Sequence, residues 1–303
     1  MDKELLIYRI NSLLEHIDLV LNDTKGLSVS DIEKSNLLLR ATCFSVAQIG
    51  EMMVQLEKEL SPKYDRLPWI DARKMRNIIV HDYVGTDVEQ VYSTIQYDLP
   101  SLKVAFLAIR NDLISGELST ERLVLRKLVM DDADSIFNNW ANDSEVTKYM
   151  TWNAHKSIED TKQILDIWLN EYKEPKTIRY GIVLKENNEL IGAIDVVGYV
   201  DNNPEIGYCL SRKYWNKGYM TEACKAVVEY LFAIGYKTIL IEADERNIGS
   251  NRVIEKVGFK FTHKETKPCS SFKPDVITVN WYKITKNDFH QSDNQSATSS
   301  KRQ

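Results

Sequence analysis

Two segments far apart in the chain carry residue types that could do chemistry. The first, RNIIVHDY, sets Arg76 and His81 five positions apart, followed by Asp82 and Tyr83. A histidine titrates near neutrality and can move a proton at a ribose hydroxyl or a leaving oxygen. An arginine offers a planar fork of donors to a crowded anionic phosphorus centre. Together they suit metal-free cleavage of an RNA phosphodiester. The second segment, YWNKGYMTEA, runs from Tyr214 to Ala223. There Asn216, Lys217 and Gly218 lead into a helix start at Tyr219, Met220 and Thr221. Free amides at a helix N-terminus, together with its positive dipole end, can hold a pyrophosphate, and Thr221 can add a donor.

Each motif also has a plain reading. At about 100° per residue, Arg76 and His81 lie roughly 140° apart on a regular helix and cannot face one phosphate. Either the helix unwinds after Val80, or the site is composite and built at a dimer interface. Gly85, just past Tyr83, favours a helix end here. The alternative is a surface arginine and a helix-terminal histidine answering the dipole. For Asn216–Lys217–Gly218 the alternative is an ordinary strand–turn–helix corner.

The elements that must position these residues fall into two classes. Residues 1–112 read as helices throughout. Leu6, Ile10, Leu13, Ile17 and Leu21 form one apolar stripe. Ser30 and Glu33 read as a capping box opening a long second helix through Leu38, Ala41, Ile49 and Met52 to about Leu60. Pro62 and Pro68 mark its exit, a third helix carries DARKMRNIIVH, and a fourth starts near Asp87 and is kinked or ended by Pro100. After Gly116, strands and helices interleave: strands over 121–128, 178–185, 190–200, 204–211, 237–243, 259–265 and 276–284, helices over 131–141, 158–173, 219–234 and 248–257. The expected fold is multidomain, an all-α helical bundle followed by an α/β domain. Its segments are a helical domain at 1–113, a linker at 114–120, the α/β domain at 121–287 and a polar, disordered tail at 288–303.

Composition narrows the partners. The 303 residues carry a net charge of −5, so no global basic field gathers nucleic acid or anionic membrane. Residues 1–115 hold 13 Lys and Arg against 17 Asp and Glu, so any RNA contact there needs a local patch such as Arg73, Lys74 and Arg76. Cys43, Cys209, Cys224 and Cys269 form no paired motif and read as reduced, packed thiols. No metal site is expected, since no His, Cys or Asp cluster has ligand spacing. The charged opening MDKELLIYRI is not expected to act as a signal peptide, and no stretch is expected to approach a membrane span. A soluble, cytoplasmic protein with no membrane partner is expected.

Residues 1–112 resemble the HepT-like ribonuclease toxins of the HEPN superfamily. The likeness rests on LLIYRINSLLEHI, the segment IGEMM from Ile49 to Met53, LPWIDARKMRN from Leu67 to Asn77, and the HDY ending. It implies a helical bundle, Arg76 and His81 as catalytic, an active dimer with facing motifs, and RNA as substrate. It also implies Tyr83 as the tyrosine that a nucleotidyltransferase antitoxin partner can adenylylate. Asp82 could orient His81 or only balance charge, and Tyr83 could instead be a packing residue.

Residues 118–287 are similar to the GNAT N-acetyltransferases, in the branch of the ribosomal-protein alanine acetyltransferases RimJ and RimL. The likeness rests on STERLVLRKLVMDDADSIF (Ser119 to Phe137), PEIGYCL (Pro204 to Leu210), YWNKGYMTEA and ERNIGSNRVIEKVGF (Glu245 to Phe259). The family's Q/R-x-x-G-x-G/A pattern is met loosely, with Trp215 first, Gly218 fourth and Met220 in the last small position. The resemblance implies a GNAT fold with a central mixed, mostly antiparallel sheet, and acetyl-CoA as co-substrate without a metal. It implies a strand from Glu205 to Leu210 that splays from its neighbour, its backbone at Tyr208 and Leu210 holding the pantetheine arm. Asn216, Lys217, Gly218, Tyr219, Met220 and Thr221 would take the pyrophosphate. Glu205 becomes the carboxylate that relays a proton from the attacking amine, or else a surface carboxylate ending a strand. Where many members place an acidic tyrosine seven residues after the asparagine, this chain has Ile254 after Asn247. Ser250 would then meet the CoA sulfur, with an early-helix capping role as its alternative and Tyr282 as a weaker acid. Asn247 would hold the pantetheine or cap the helix. Trp140, Trp152 and Trp168 could line an acceptor groove or belong to the core.

Three functions fit: an N-acetyltransferase joined to a ribonuclease; an acetyltransferase whose helical domain only dimerises or binds a partner; or a toxin-type RNase regulated by its acetyltransferase domain. The acceptor would be an amine, either a protein N-terminus or a small molecule, and the chain a homodimer.

Overall fold

The computed structural model describes residues 2–74 and 87–289. The chain divides into two compact units, the first made of the residues up to Ser115 with Ala233–Gly235, the second of Gly116–Phe232 and the residues from Tyr236 on. The first is helical: α1 (Lys3–Asp23), α2 (Val29–Lys34), α3 (Asn36–Leu60), α4 (69–74, the last residues described before 87), α5 (Val88–Ser93) and α6 (Leu99–Ile114). α1 packs on α3 and α6 through Leu6, Ile10, Leu13, Leu14, Ile17 and Val20. Val20, not Leu21, completes the buried stripe, because a real helix drifts from the ideal spacing.

Two expectations for this unit are corrected and a third is narrowed. The capping box is not Ser30 with Glu33. It is Ser28 with Asp31, where the shorter aspartate closes the ring by accepting from both the amide and the hydroxyl of Ser28. That box opens only the short α2. Ser35 then accepts from the Leu38 amide and starts α3 afresh. The restart turns the face, so Met53 is buried where Met52 is not, and Ala41 is exposed. Of the two outcomes expected for Pro100, it disturbs the last helix without ending it, and it sits in the first turn of α6. Its ring cannot accept a regular turn before it and it offers no N–H. The chain answers with a wider π turn over Thr94–Asp98, joining α5 to α6.

α3 is long and apolar enough to cross a membrane by length and composition, against the expectation that no stretch approaches a span. Its apolar face, from Cys43 and Val46 through Ile49, Met53 and Leu56 to Leu60, is buried within the helical unit. The segment entering α4 is anchored to α6. Tyr64 and Lys63 both donate to the Asp112 carboxylate, at 2.5 and 2.6 Å. The Trp69 indole donates to the Tyr64 carbonyl at 2.9 Å and meets Phe106 edge-on.

The second unit is built on one eight-stranded sheet in the order β1-β2-β3-β4-β5-β6-β8-β7. Its strands are β1 (Leu118–Ser119), β2 (Leu123–Arg126), β3 (Arg179–Leu184), β4 (Leu190–Val200), β5 (Asn203–Leu210), β6 (Thr238–Asp244), β7 (Lys260–Pro268) and β8 (Val276–Thr285). All neighbours are antiparallel except β5 and β6, which run parallel. The short β1 escapes a sequence reading because two residues show no alternation. The helices are α7 (Ala133–Ile136), α8 (Ser144–Thr147), α9 (Ile158–Glu171), α10 (Tyr219–Ala233) and α11 (Ile248–Val257). A capping box at Ser157 and Asp160 starts α9, and Gly258 in a left-handed conformation ends α11.

Two helical layers sandwich the sheet. On one face, Ile136, Trp140 and Leu165 form a core with Val183 and Leu190. Arg179 of β3 lies against the Trp168 ring of α9 and is ion-paired with Asp195 of β4. On the other face, α11 packs on β6, and α10 buries Ala223, Cys224, Val227 and Leu231.

Candidate functional site

The sheet opens between β5 and β6. β4 and β5 share a long antiparallel ladder with a bulge between Val196 and Gly198. β5 and β6 share a single register pair, Glu205 with Leu240. Past that rung, Ile206 to Leu210 make no ladder with β6, so backbone groups on that side are left to other partners. One is already engaged: the Leu210 carbonyl accepts from the Trp215 indole at 2.8 Å. That bond folds the turn before α10 back onto the end of β5.

The turn itself needs two left-handed residues, Asn216 at φ 60° and Gly218 at φ 82°. Asparagine and glycine are the residues that adopt this conformation at least cost. Arg122 braces the corner. It donates to the Lys217 carbonyl at 3.1 Å, stacks on the Tyr219 ring at 4.3 Å, and is ion-paired with Glu222 at 2.7 Å. Glu222 also accepts from Thr120 and from the Arg122 amide, and these contacts hold its carboxyl below the ordinary range against its burial. The first intrahelical bond runs from the Glu222 amide to the Gly218 carbonyl, so the amides of Tyr219, Met220 and Thr221 precede the helix ladder and point out of its end. The Met220 side chain is buried in the core, and its backbone alone belongs to this turn.

α11 starts in a second cap. Asn247 accepts from the Ser250 amide at 3.1 Å, which is the capping role foreseen for it. The Ser250 hydroxyl lies 3.0 Å from the Tyr208 hydroxyl, which also donates toward the Ser250 carbonyl at 3.2 Å. Ser250 is therefore not the cap. Burial pushes the Tyr208 phenol far above its ordinary range. Asn251, which the sequence reading missed, ties the helix start to two strands, β6 and β8. Its amide donates to the Asp244 and Asn247 carbonyls, and its oxygen accepts from Asn280 at 2.9 Å and Tyr282 at 2.7 Å. Tyr282, expected as a weaker acid, spends its hydroxyl on that anchor. No sequence pattern marks Asn251 or Arg122, since Asn251 meets Asn280 and Tyr282 29 and 31 positions away and Arg122 meets Lys217 and Glu222 at 95 and 100.

Glu205 stands on the other face. Side chains alternate along a strand, so Glu205 and Tyr208, an odd number of positions apart, point to opposite sides of β5. The structure does not bring Glu205 and Ser250 into contact. Burial, with the Glu242 carboxylate nearby, pushes the Glu205 carboxyl up to about 7. Glu242 is two residues past Leu240 on the same face and pairs with Lys267 at 2.5 Å. Lys267 lies 3.7 Å from Glu265 and over the Trp281 ring. Trp140 is in the core, with Trp152 and Trp168 packed against it.

Arg76, His81, Asp82 and Tyr83 lie outside the described residues. Of the neighbouring basic residues, Arg73 is paired with Glu57 at 3.3 Å and Lys74 with Asp71 at 3.6 Å. Among the described residues no group of three or more His, Cys, Asp or Glu could hold a metal ion.

Residues 122–260 match the acetyltransferase (GNAT) domain family and residues 13–109 the ribonuclease HepT-like family. An uncharacterized N-acetyltransferase of Bacillus subtilis, YoaA, is 35% identical over 146 residues, 47% of this chain and 82% of that protein. TTE0752 of Caldanaerobacter subterraneus, whose name proposes an RNase, is 30% identical over 94 residues, 31% of this chain and 84% of that protein. The crystal structure of a GNAT-family acetyltransferase from Bacillus anthracis superposes with a TM-score of 0.50 at 26% identity, covering 56% of this chain and 99% of that one. With its parted β5 and β6 strands and braced α10 start, this chain belongs to the GNAT N-acetyltransferases and carries a HepT-like domain ahead of the acetyltransferase domain.

Proposed function

We infer that the second unit transfers an acetyl group from acetyl-CoA directly to an amine. The observation that carries this reading is Glu205, a carboxyl raised to about 7 at the rung where β5 and β6 part. A base with that affinity for protons is matched to work at neutral pH. The residues at the α10 corner fit the co-substrate: left-handed Asn216 and Gly218 let the backbone approach closely, and the amides of Tyr219 to Thr221 are free for a diphosphate. The edge of β5 around Tyr208 to Leu210 suits a pantetheine arm, with the second lone pair of the Leu210 carbonyl and its neighbours as partners.

The two faces of the opening divide the work. The thioester enters from the Tyr208 and Ser250 side, and the amine from the Glu205 side. A neutral amine attacks the thioester carbonyl, and Glu205 takes a proton from the nitrogen, directly or through water. The tetrahedral adduct collapses, the carbon–sulfur bond breaks, and the thiolate accepts a hydrogen bond from Ser250. The proton released by the amine ends on the sulfur, giving an amide and a free thiol. The acceptor class is a protein N-terminus or a small amine.

The first unit is read as a metal-independent RNA endonuclease, on the HepT-like match over 13–109 and on Arg76 and His81 within it. In this reading the two motifs face each other in a homodimer, and Tyr83 is the target of a nucleotidyltransferase partner.

The test is incubation of the whole protein with acetyl-CoA and cell extract, followed by mass spectrometry of acetylated products, with calorimetry of acetyl-CoA binding alongside. Acetylated amines that vanish with Glu205→Gln support the transfer reading. Failure of the folded protein to bind acetyl-CoA overturns it.

A further inference from the structure

The hydroxyl pair formed by Tyr208 and Ser250 is not explained by capping or by packing alone. Asn247 already caps the start of α11 through the Ser250 amide, so the Ser250 hydroxyl is left over. Tyr208 reaches it from the middle of β5, 42 positions away, and touches both polar oxygens of the same residue, Oγ at 3.0 Å and the carbonyl at 3.2 Å.

A phenol has one proton and here has two acceptors. When Tyr208 donates to the Ser250 carbonyl, its own oxygen can accept from Ser250, whose hydrogen is then turned away from the opening. When Tyr208 donates to Ser250 Oγ, the serine hydrogen is released and can point at a sulfur lying along β5. The second arrangement also raises the donor strength of serine, because a hydroxyl that accepts a hydrogen bond polarises the one it gives.

We propose that Tyr208 is a positioning residue, whose hydroxyl turns and polarises the Ser250 hydroxyl toward the departing thiolate. The proposal rests on the acetyl-transfer reading above. No net proton leaves Tyr208. Burial raises the cost of a tyrosinate, so the bond to Ser250 is strengthened but not broken. The proton that finishes on the thiol is the one removed from the amine.

The experiment is a double-mutant cycle in the full-length protein, with acetyl-CoA and an amine acceptor found by the mass-spectrometric test. Tyr208→Phe, Ser250→Ala and the double variant are compared in kcat, in KM for acetyl-CoA, and in thermal unfolding. Loss of one oriented hydrogen bond in the transition state corresponds to about tenfold in kcat. Tyr208→Phe should therefore lower kcat about tenfold with KM for acetyl-CoA little changed, and should have no further effect once Ser250 is alanine. A merely structural tyrosine would instead lower the unfolding temperature, shift KM and kcat together, and lower kcat equally in both backgrounds; that result overturns the proposal. So does a normal kcat in Tyr208→Phe when Ser250→Ala is impaired, which leaves the serine assignment intact. If Ser250→Ala itself keeps full kcat, the serine assignment falls and the proposal with it.

Discussion

Glu205 of β5 stands in register with Leu240 of β6 at the one rung the two strands share. The carboxyl is thus held where the sheet opens, half-buried and beside Glu242, which keeps it protonated up to about pH 7. Below that pH it cannot accept a proton. The value of kcat/KM should rise through roughly one decade per pH unit up to about 7 and then level. Glu205→Gln should lower it by about 10² to 10⁴ and flatten that limb. A profile unchanged by the substitution would remove Glu205 from the reaction.

Gly218 at φ 82° should resist any side chain. A Cβ there would come 3.4 Å from the Arg122 guanidinium, and the left-handed backbone adds about 1–2 kcal/mol of strain for any other residue. Gly218→Ala should lower stability by about that amount and weaken acetyl-CoA binding, both measurable by thermal unfolding and calorimetry. Undiminished affinity would place the diphosphate elsewhere.

Tyr282 is assigned to structure, because its hydroxyl is held by Asn251 at 2.7 Å. Tyr282→Phe should cost about 1 kcal/mol in urea unfolding and leave kcat within about twofold. Asn251→Ala removes four hydrogen bonds at the start of α11 and should cost clearly more than Tyr282→Phe. A large fall in kcat with unchanged stability in Tyr282→Phe would restore it as an acid.

The helical unit makes a separate prediction. Arg76→Ala and His81→Ala should each abolish RNA degradation, by about 10² or more, while acetyl transfer continues. RNA cleavage that survives both substitutions would reduce the HepT-like domain to a binding or dimerisation module.

Much of this was readable in the residues. The strands from β3 to β8 fall close to their expected spans, with burial alternating along β5 and β6 but not along β3, which is buried almost throughout, or β7, which is exposed almost throughout. The motif at Tyr214 to Thr221 stood out because left-handed turns demand glycine or asparagine at set places. Other features were not readable. Ser30 with Glu33 and Ser28 with Asp31 offer similar caps on paper, and the folded chain takes the second, with Ile32 of α2 buried in the core. Pro100 announces a disturbance in a helix but not whether a wider turn will absorb it.

The sequence by itself determined that two units of different class are joined and where the glycine corner lies. Those are properties of local period and turn chemistry, carried by neighbours in the chain. Tertiary structure alone decided that Tyr208 meets Ser250 and that Tyr282 is consumed by Asn251, contacts spanning 42 and 31 positions. It alone decided that burial and Glu242 lift the Glu205 carboxyl to about 7. Hydrogen-bond partners and the loss of water around a charge depend on which surfaces pack together, and no local pattern encodes that.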